Sequence, residues 1–268
     1  MSGGASRITV ETTLAYELDV ATPMIFMVAP QTGASQVIES QQISTEPYCD
    51  LLGHTDGSGN LVHRGVAPAG RFEIAITTTA AVAPRADDGS AAPFVPVERL
   101  PPAALPFLLP SRYVESDKLA DDAERITAGL PAGFAQVAAI VAHVRDRFDY
   151  VSGSSPLPTS ACELAGRTEA VCRDMAHLGI AYCRAVSIPA RMVVGYLDGL
   201  VPQDVHAWFE AYCGGRWWTC DPTQPTLDGA RLVVAYGRDA ADVAINTSFG
   251  TGIEVLPPAV RVTASPTL

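Results

Sequence analysis

The chain has 268 residues, of which 48% are hydrophobic and 18% charged, and it carries a net charge of -11. That length suffices for one large unit or two modest ones, each with its own core, and the balance excludes a disordered chain. The surplus of acid excludes a general phosphate-binding surface, so no nucleic-acid partner is expected.

The opening MSGGASRITVETTLAYELDV has no basic stretch followed by an apolar run, so no secretory signal is read there. No run of about 18 or more uncharged apolar residues occurs, so no membrane partner is expected. Cysteines stand at 49, 162, 172, 183, 213 and 220 without a C-x-x-C pair. Neither a zinc knuckle nor a thioredoxin-type motif is therefore indicated, and no metal or other cofactor is expected. A cytoplasmic location with reduced thiols follows as the expectation.

The first third reads as β-structure. Ile8–Leu18 alternates and is rich in Thr, Val and Tyr, and Gln36–Ser44 and Arg71–Ala80 look similar. His54-Thr55-Asp56-Gly57-Ser58-Gly59-Asn60 has the residues of a hairpin loop. Antiparallel strands of a small sandwich or open barrel are expected. From about 83 to 110 the chain carries Pro84, Pro93, Pro96, Pro101, Pro102, Pro106 and Pro110. These remove backbone donors and mark a connection between domains. The division expected is an N-terminal β domain over 1–110, connection included, and a core over 111–268.

Beyond it the pattern turns helical. Asp117–Gly129 and Gly133–Phe148 are Ala-rich with apolar spacings of three and four. Val171–Val186 places Met175, Leu178, Gly179, Tyr182, Cys183 and Val186 on one face, which predicts an amphipathic helix. Pro189 ends it, Ala190–Leu197 reads as a strand, and Asp204–Tyr212 and Trp217–Asp221 read as a hairpin. Strands first, then helices packed on an antiparallel sheet, make the fold class α+β.

Cys172 falls at the predicted helix start, where unpaired backbone N–H groups and the positive dipole end favour a thiolate and can receive an oxyanion. His206, Trp208, Glu210 and Tyr212 share one strand face. A turn at Cys213-Gly214 sets Asp221 opposite His206, whereas a turn at Gly214-Gly215 sets it opposite Trp208 and diagonal to His206. In either register a carboxylate can hold the imidazole for proton exchange with the thiol, which is the logic of a nucleophile, base and orienting acid.

The pieces Ala170-Val171-Cys172-Arg173-Asp174-Met175-Ala176-His177-Leu178, Ile188-Pro189-Ala190-Arg191 with Gly195-Tyr196-Leu197, His206-Ala207-Trp208 and Asp221-Pro222-Thr223 occur in that order. The sequence thereby resembles the bacterial transglutaminase-like family, within the wider papain-like group of cysteine enzymes. Gly237–Val243 resembles a segment near the end of that family's core, and the N-terminal β region its accessory domain. The resemblance implies a nucleophile at Cys172, a base at His206 and an orienting acid at Asp221. It also implies peptide or isopeptide bonds as substrates, on a peptide or protein partner.

Individual residues have plainer readings. Cys183 is expected as a small core hydrophobe, and His177 points away from Cys172 on an ideal helix. Trp208 shares the His206 face and is a candidate for the substrate channel, while Tyr150 is a candidate oxyanion donor. Cys213 and Cys220 flank a tight turn and are read as ordinary thiols, with Cys213 expected to be accessible there. The function expected is a cysteine-dependent amide-bond enzyme, hydrolase or acyl transferase, working through a thioester on Cys172. The alternatives are an acyltransferase of the arylamine N-acetyltransferase kind and a catalytically silent binding module. A zinc site built on the same three residues lacks the close ligand pairs usual for zinc.

Overall fold

The computed structural model describes residues 5–83, 91–151, 153–155 and 159–266. Its first half is built on long strands: β1 (Ser6–Leu18), β2 (Thr22–Phe26), β3 (Gln36–Glu46), β4 (Leu52–Thr55), β5 (Leu61–Ala67) and β6 (Gly70–Val82). β1 pairs β6 over its whole length and β6 pairs β3, all antiparallel. β2, β5 and β4 form a second sheet. The turn-forming cluster does close the β4–β5 hairpin. Asp56 Oδ1 accepts from the backbone N–H groups of Ser58 and Asn60 at 2.8 and 2.9 Å, the local bonding that makes Asp a turn residue.

Of the proline-rich stretch expected over about 83–110, residues 84–90 lie outside the described residues. The remainder is packed down rather than free. The Pro93 carbonyl accepts from the Gly214 N–H at 2.8 Å, Phe107 stands edge-on to Trp217 with ring centroids 5.5 Å apart, and Leu100 and Ala104 are buried. Proline removes a donor but keeps its acceptor and loses little conformational freedom on docking, so such a segment makes a stiff strap as readily as a linker.

The second half contains α1 (Ala120–Thr127), α2 (Phe134–Arg147), the short strands β7 (Asp149–Tyr150) and β8 (Glu169–Ala170), then α3 (Cys172–Ala185), β9 (Ala190–Leu197), β10 (His206–Cys213), β11 (Arg216–Cys220) and β12 (Arg231–Gly237). The last four strands make an antiparallel sheet in the order β11-β10-β9-β12. α3 lies on one face of it. A Cβ placed on Gly179 would sit 2.5 Å from the Phe209 ring, so glycine is what lets helix and sheet approach. The apolar face expected for α3 is buried, but so is the rest of the helix from Asp174 to Arg184. It is a core helix rather than a surface amphipathic one. α1 and α2 also pack against it. Its charged Arg184 is satisfied by the carbonyls of Ala190, Leu109 and Arg238 and by the Ser111 hydroxyl.

Beyond β12 the chain leaves this layer. β13 (Asn246–Ser248), β14 (Ile253–Val255) and β15 (Ala259–Pro266) return to the N-terminal sheets. β13 pairs β2, and β14 and β15 both pair β1. The two halves also share an interior. Along one face of β1, Ile8 and Val10 pack with α3 and the strands of its sheet, while Leu14, Tyr16 and Leu18 pack with Phe26 and Phe72. Side chains two apart point the same way, so a single 13-residue strand can serve two cores in succession.

Three side-chain amides join the halves with one recurring geometry. Gln36 donates to the Val233 carbonyl and accepts from its N–H, both at 2.8 Å. Asn60 does the same to Tyr236 at 2.9 and 2.8 Å, and Gln203 to Val262 at 3.0 and 3.0 Å. A primary amide carries a carbonyl and an N–H side by side, so each copies one residue of a neighbouring strand and occupies edge groups of β12 or β15.

Candidate active site

The site forms where the start of α3 meets the start of β10. The β10–β11 register pairs Cys213 with Arg216 and Phe209 with Cys220, so the turn is Gly214-Gly215. Both glycines have positive φ, 59° and 88°, the conformation a two-residue hairpin turn demands. This selects the diagonal register. Asp221 follows the end of β11 on the side of Trp208, and its Oδ2 reaches His206 Nε2 at 2.8 Å.

That pair is enclosed, with His206 side chain 1% exposed and Asp221 0%. Asp221 is saturated with donors. Thr223 gives its N–H and hydroxyl to Oδ1 at 3.1 and 2.7 Å, and the Arg231 guanidinium approaches Oδ2 at 3.3 Å. Burial pushes the carboxyl pKa up, but the His206, Thr223 and Arg231 contacts outweigh it and hold it below its ordinary value. Burial likewise opposes charge on His206. The hydrogen bond and charge of Asp221, together with the Cys172 thiol, carry its pKa up to about 9. Among the described residues Nδ1, the ring nitrogen not bonded to Asp221, has no ordinary hydrogen-bond partner, and the thiol of Cys172 is close enough to act on the ring.

Cys172 is the first residue of α3, and the position before it is Val171, which supplies no side-chain cap. With no hydroxyl or carboxylate competing for them, the first N–H groups of the helix are left for a ligand. β7 and β8 pair in parallel, Tyr150 against Ala170, with Val151 N–H donating to the Ala170 carbonyl at 3.1 Å. This two-residue ladder brings Tyr150 beside the segment that leads into Cys172. Burial first, then the negative groups Cys172, Asp204 and Asp221, push the Tyr150 phenol up to about 12, so it stays a donor.

The other candidates fall elsewhere. Trp208 does share the His206 face, with the rings 5.9 Å apart and nearly parallel, but it is only 1% exposed. It is a floor beneath the imidazole rather than a wall of an open channel, because Val193, Val233 and Tyr236 close over it. His177 is buried, stacked on Tyr113, and accepts the Ala240 N–H at 3.1 Å. Burial lowers its pKa, so it is a neutral tie to the segment after β12. Cys213 is buried rather than accessible, since α3 covers that face of the hairpin. Burial pushes its thiol up to about 12 and raises Cys183 and Cys220 as well. Among the described residues no three His, Cys, Asp or Glu side chains are grouped to hold a metal ion. Glu210 is engaged by Arg191 at 2.6 Å.

Sequence reasoning missed the roles of Thr223 and Arg231. A hydroxyl two residues after an aspartate is a local signal for a side-chain turn and was legible in principle. Arg231 comes from another strand after an irregular loop, and nothing in its neighbours announces it.

Residues 120–222 match the transglutaminase-like superfamily. The whole chain superposes on the crystal structure of a candidate cysteine protease from Cytophaga hutchinsonii with a TM-score of 0.93 and 34% identity, covering 100% of this chain and 93% of that one. An uncharacterized protein of Mycobacterium leprae is 28% identical over 229 residues, which are 80% of this chain and 81% of that one. A shorter match to an uncharacterized protein of Mycobacterium tuberculosis is 39% identical over 111 residues, 36% of this chain and 35% of that one. The chain belongs to the transglutaminase-like superfamily of cysteine-dependent enzymes.

Proposed function

We propose that the protein is an amide-bond hydrolase or acyl transferase acting on a peptide or protein, with Cys172 as nucleophile, His206 as acid and base, and Asp221 as orienter. The observation that carries this is the buried 2.8 Å His206–Asp221 contact with the opposite ring nitrogen left open beside the first residue of α3.

Asp221 is an acceptor only, so it fixes a proton on Nε2 and directs Nδ1 to the thiol. Nδ1 takes the thiol proton as the sulfur attacks, which gives a thiolate beside an imidazolium. The thiolate adds to the amide carbonyl. The oxyanion is received by the first N–H groups of α3 and by the Tyr150 hydroxyl. Imidazolium Nδ1–H protonates the leaving amine, the C–N bond breaks, and a thioester on Cys172 remains with a neutral imidazole. Water or a second amine then adds, gives its proton to that imidazole, and displaces the sulfur as thiolate.

Glutamine-containing peptides incubated with a labelled amine, with release and incorporation both read by mass spectrometry, test the reading. Turnover that requires Cys172 supports it, and the ratio of incorporated amine to released acid assigns transferase or hydrolase. Absence of turnover on amides, with Cys172 alkylation proceeding normally, would overturn it.

A further inference from the structure

Arg231 is the first residue of β12, and β9 separates β12 from β10. Its guanidinium nevertheless meets Asp221, beyond the hairpin of β10 and β11. The strand register explains how. His206 pairs Gly195 and Gly195 pairs Val233, so the strand between has no side chain in that row. A Cβ on Gly195 would sit 2.2 Å from the Leu232 carbonyl oxygen and 2.9 Å from the Trp208 ring, so only glycine fits. Arg231 stands two residues before Val233 on the same face of the sheet. The Trp208 ring, which takes the space over Gly195, has the Arg231 Cζ 5.9 Å from its centroid and the His206 ring at 5.9 Å. One indole is therefore neighbour to both cationic groups.

Both groups also share one acceptor atom. His206 Nε2 lies 2.8 Å and Arg231 Nη2 3.3 Å from Asp221 Oδ2. The Arg231 side chain is 10% exposed and that of Asp221 0%, so little water screens the pair. Arg231 Nη1 is turned to the loop before β12 and donates to the Leu227 carbonyl at 2.8 Å. Arg145 of α2 ties the start of that loop, donating to the Gln224 carbonyl at 2.7 Å. A clamp on the loop needs only carbonyl acceptors, and among the described residues Arg145 bonds carbonyls alone. Arg231 adds a positive charge at the oxygen on which the imidazole depends. The other groups facing that imidazole are Thr223 at 3.5 Å, the Cys172 thiol and the Asp204 carboxylate. Ionised thiol and carboxylate hold a proton on the ring, and of these groups Arg231 is the one that opposes them.

We infer that Arg231 is a positioning residue of the site. It holds Asp221 Oδ2 against His206 and, by sharing that oxygen's charge, keeps the imidazolium acidic enough to hand its proton to a leaving group. The leaving amine rests on the function proposed above; the effect on the imidazole does not.

Two measurements separate the two ideas. In the first, His206 is titrated by NMR in protein labelled with ¹³C-histidine, in a Cys172→Ala background so that no thiol titrates beside it. Loss of a signal in His206→Gln assigns the resonance. Arg231→Gln keeps donors for the loop and removes the charge, and it should raise the His206 midpoint by about one pH unit. Arg231→Lys keeps the charge and should stay close to the parent. Arg145→Gln, which loosens the loop alone, should leave the midpoint in place. An unchanged or lowered midpoint in Arg231→Gln overturns the inference, as does an equal shift in Arg145→Gln. If Arg231→Gln does not fold, Arg231→Met carries the same comparison. In the second, glutamine-containing peptides are turned over by protein with Cys172 intact. Arg231→Gln should lower kcat about tenfold with KM nearly unchanged, and Arg231→Lys should restore most of it. Turnover that ignores Arg231→Gln overturns the inference and leaves the amide chemistry standing. If no peptide is turned over but the His206 midpoint follows the charge at position 231, the amide chemistry fails and the hold of Arg231 on the imidazole stands.

Discussion

Between the sheets of the N-terminal sandwich, Tyr16, Phe26 and Phe72 stack with centroids 6.2 to 6.4 Å apart. The polar side chains buried in that half are threonines, Gln36 and Asn60. The layer made by α3 and its sheet encloses Asp174, His177, Arg184, His206, Asp221 and Asp239. One region is stabilised by removing apolar surface from water. The other withdraws charges from water and must compensate each with partners. The difference teaches that the two regions, joined through β1, are held together by different means, so a defect in the apolar core and a defect in the charged layer should show themselves differently.

The sharpest test of that difference is Cys172→Ala. It should abolish turnover while shifting thermal unfolding by only a few degrees, because one half-buried sulfur is removed from a helix start. Residual activity within tenfold of the parent, or a shift of tens of degrees, would contradict the assignment of Cys172 as nucleophile. Asp221→Asn should follow, with kcat reduced by about 10³-fold or more and KM changed far less, since the amide cannot fix the imidazole tautomer or support its charge. Steady-state kinetics across pH would check this, and an unchanged rate would move the orienting role to another group.

On the stability side, Phe72→Ala should cost about 3–5 kcal/mol by chemical denaturation, with kcat of the folded fraction unchanged. A parallel loss of kcat would mean that β1 transmits packing defects into the site. The pH dependence sharpens the contrast further. His206 has its pKa raised from 6.5 to about 9, so its pairing contributes stability that is complete below pH 6.5 and fades as pH rises through about 9. Asp221, lowered from 3.8, supplies stability above that value and loses it as pH falls through the lower folded value. Unfolding curves should show the alkaline decline, about 1–3 kcal/mol, in the parent and not in Asp221→Asn. The smallest expected effect belongs to the joint between regions. Gln36→Leu should cost about 1–2 kcal/mol by leaving an N–H and a C=O of Val233 without partners, with kinetic constants unaltered.

The contact between His206 and Asp221 was readable in the sequence to the extent that it is local. A strand with alternating side chains, a glycine pair and a returning strand bring His206 and Asp221 together whatever surrounds them, and the open choice of register was one residue wide. The strands 190–197 and 206–213 and the start of α3 were legible for the same reason. What was not legible is long-range. Nothing in Ala259–Pro266 says that its partner is β1, and the proline-rich strap is indistinguishable by composition from a linker. The burial of Trp208 and Cys213 depends on what covers each face of a sheet, which periodicity along one strand does not specify.

The return of β14 and β15 to β1 has a consequence during synthesis. Ser6 leaves the ribosome long before its partner Pro266. At about 5–20 residues per second the free edge of β1 waits on the order of ten seconds or longer. Over that interval the segment that makes α3, β9, β10 and β11 is already available to condense, since its pairings lie close together in the chain. A nascent chain can therefore assemble the His206 hairpin while its first strand still offers unpaired backbone to any passing strand. Shielding that edge until the last strand arrives is the hardest demand this topology places on the cell that makes it.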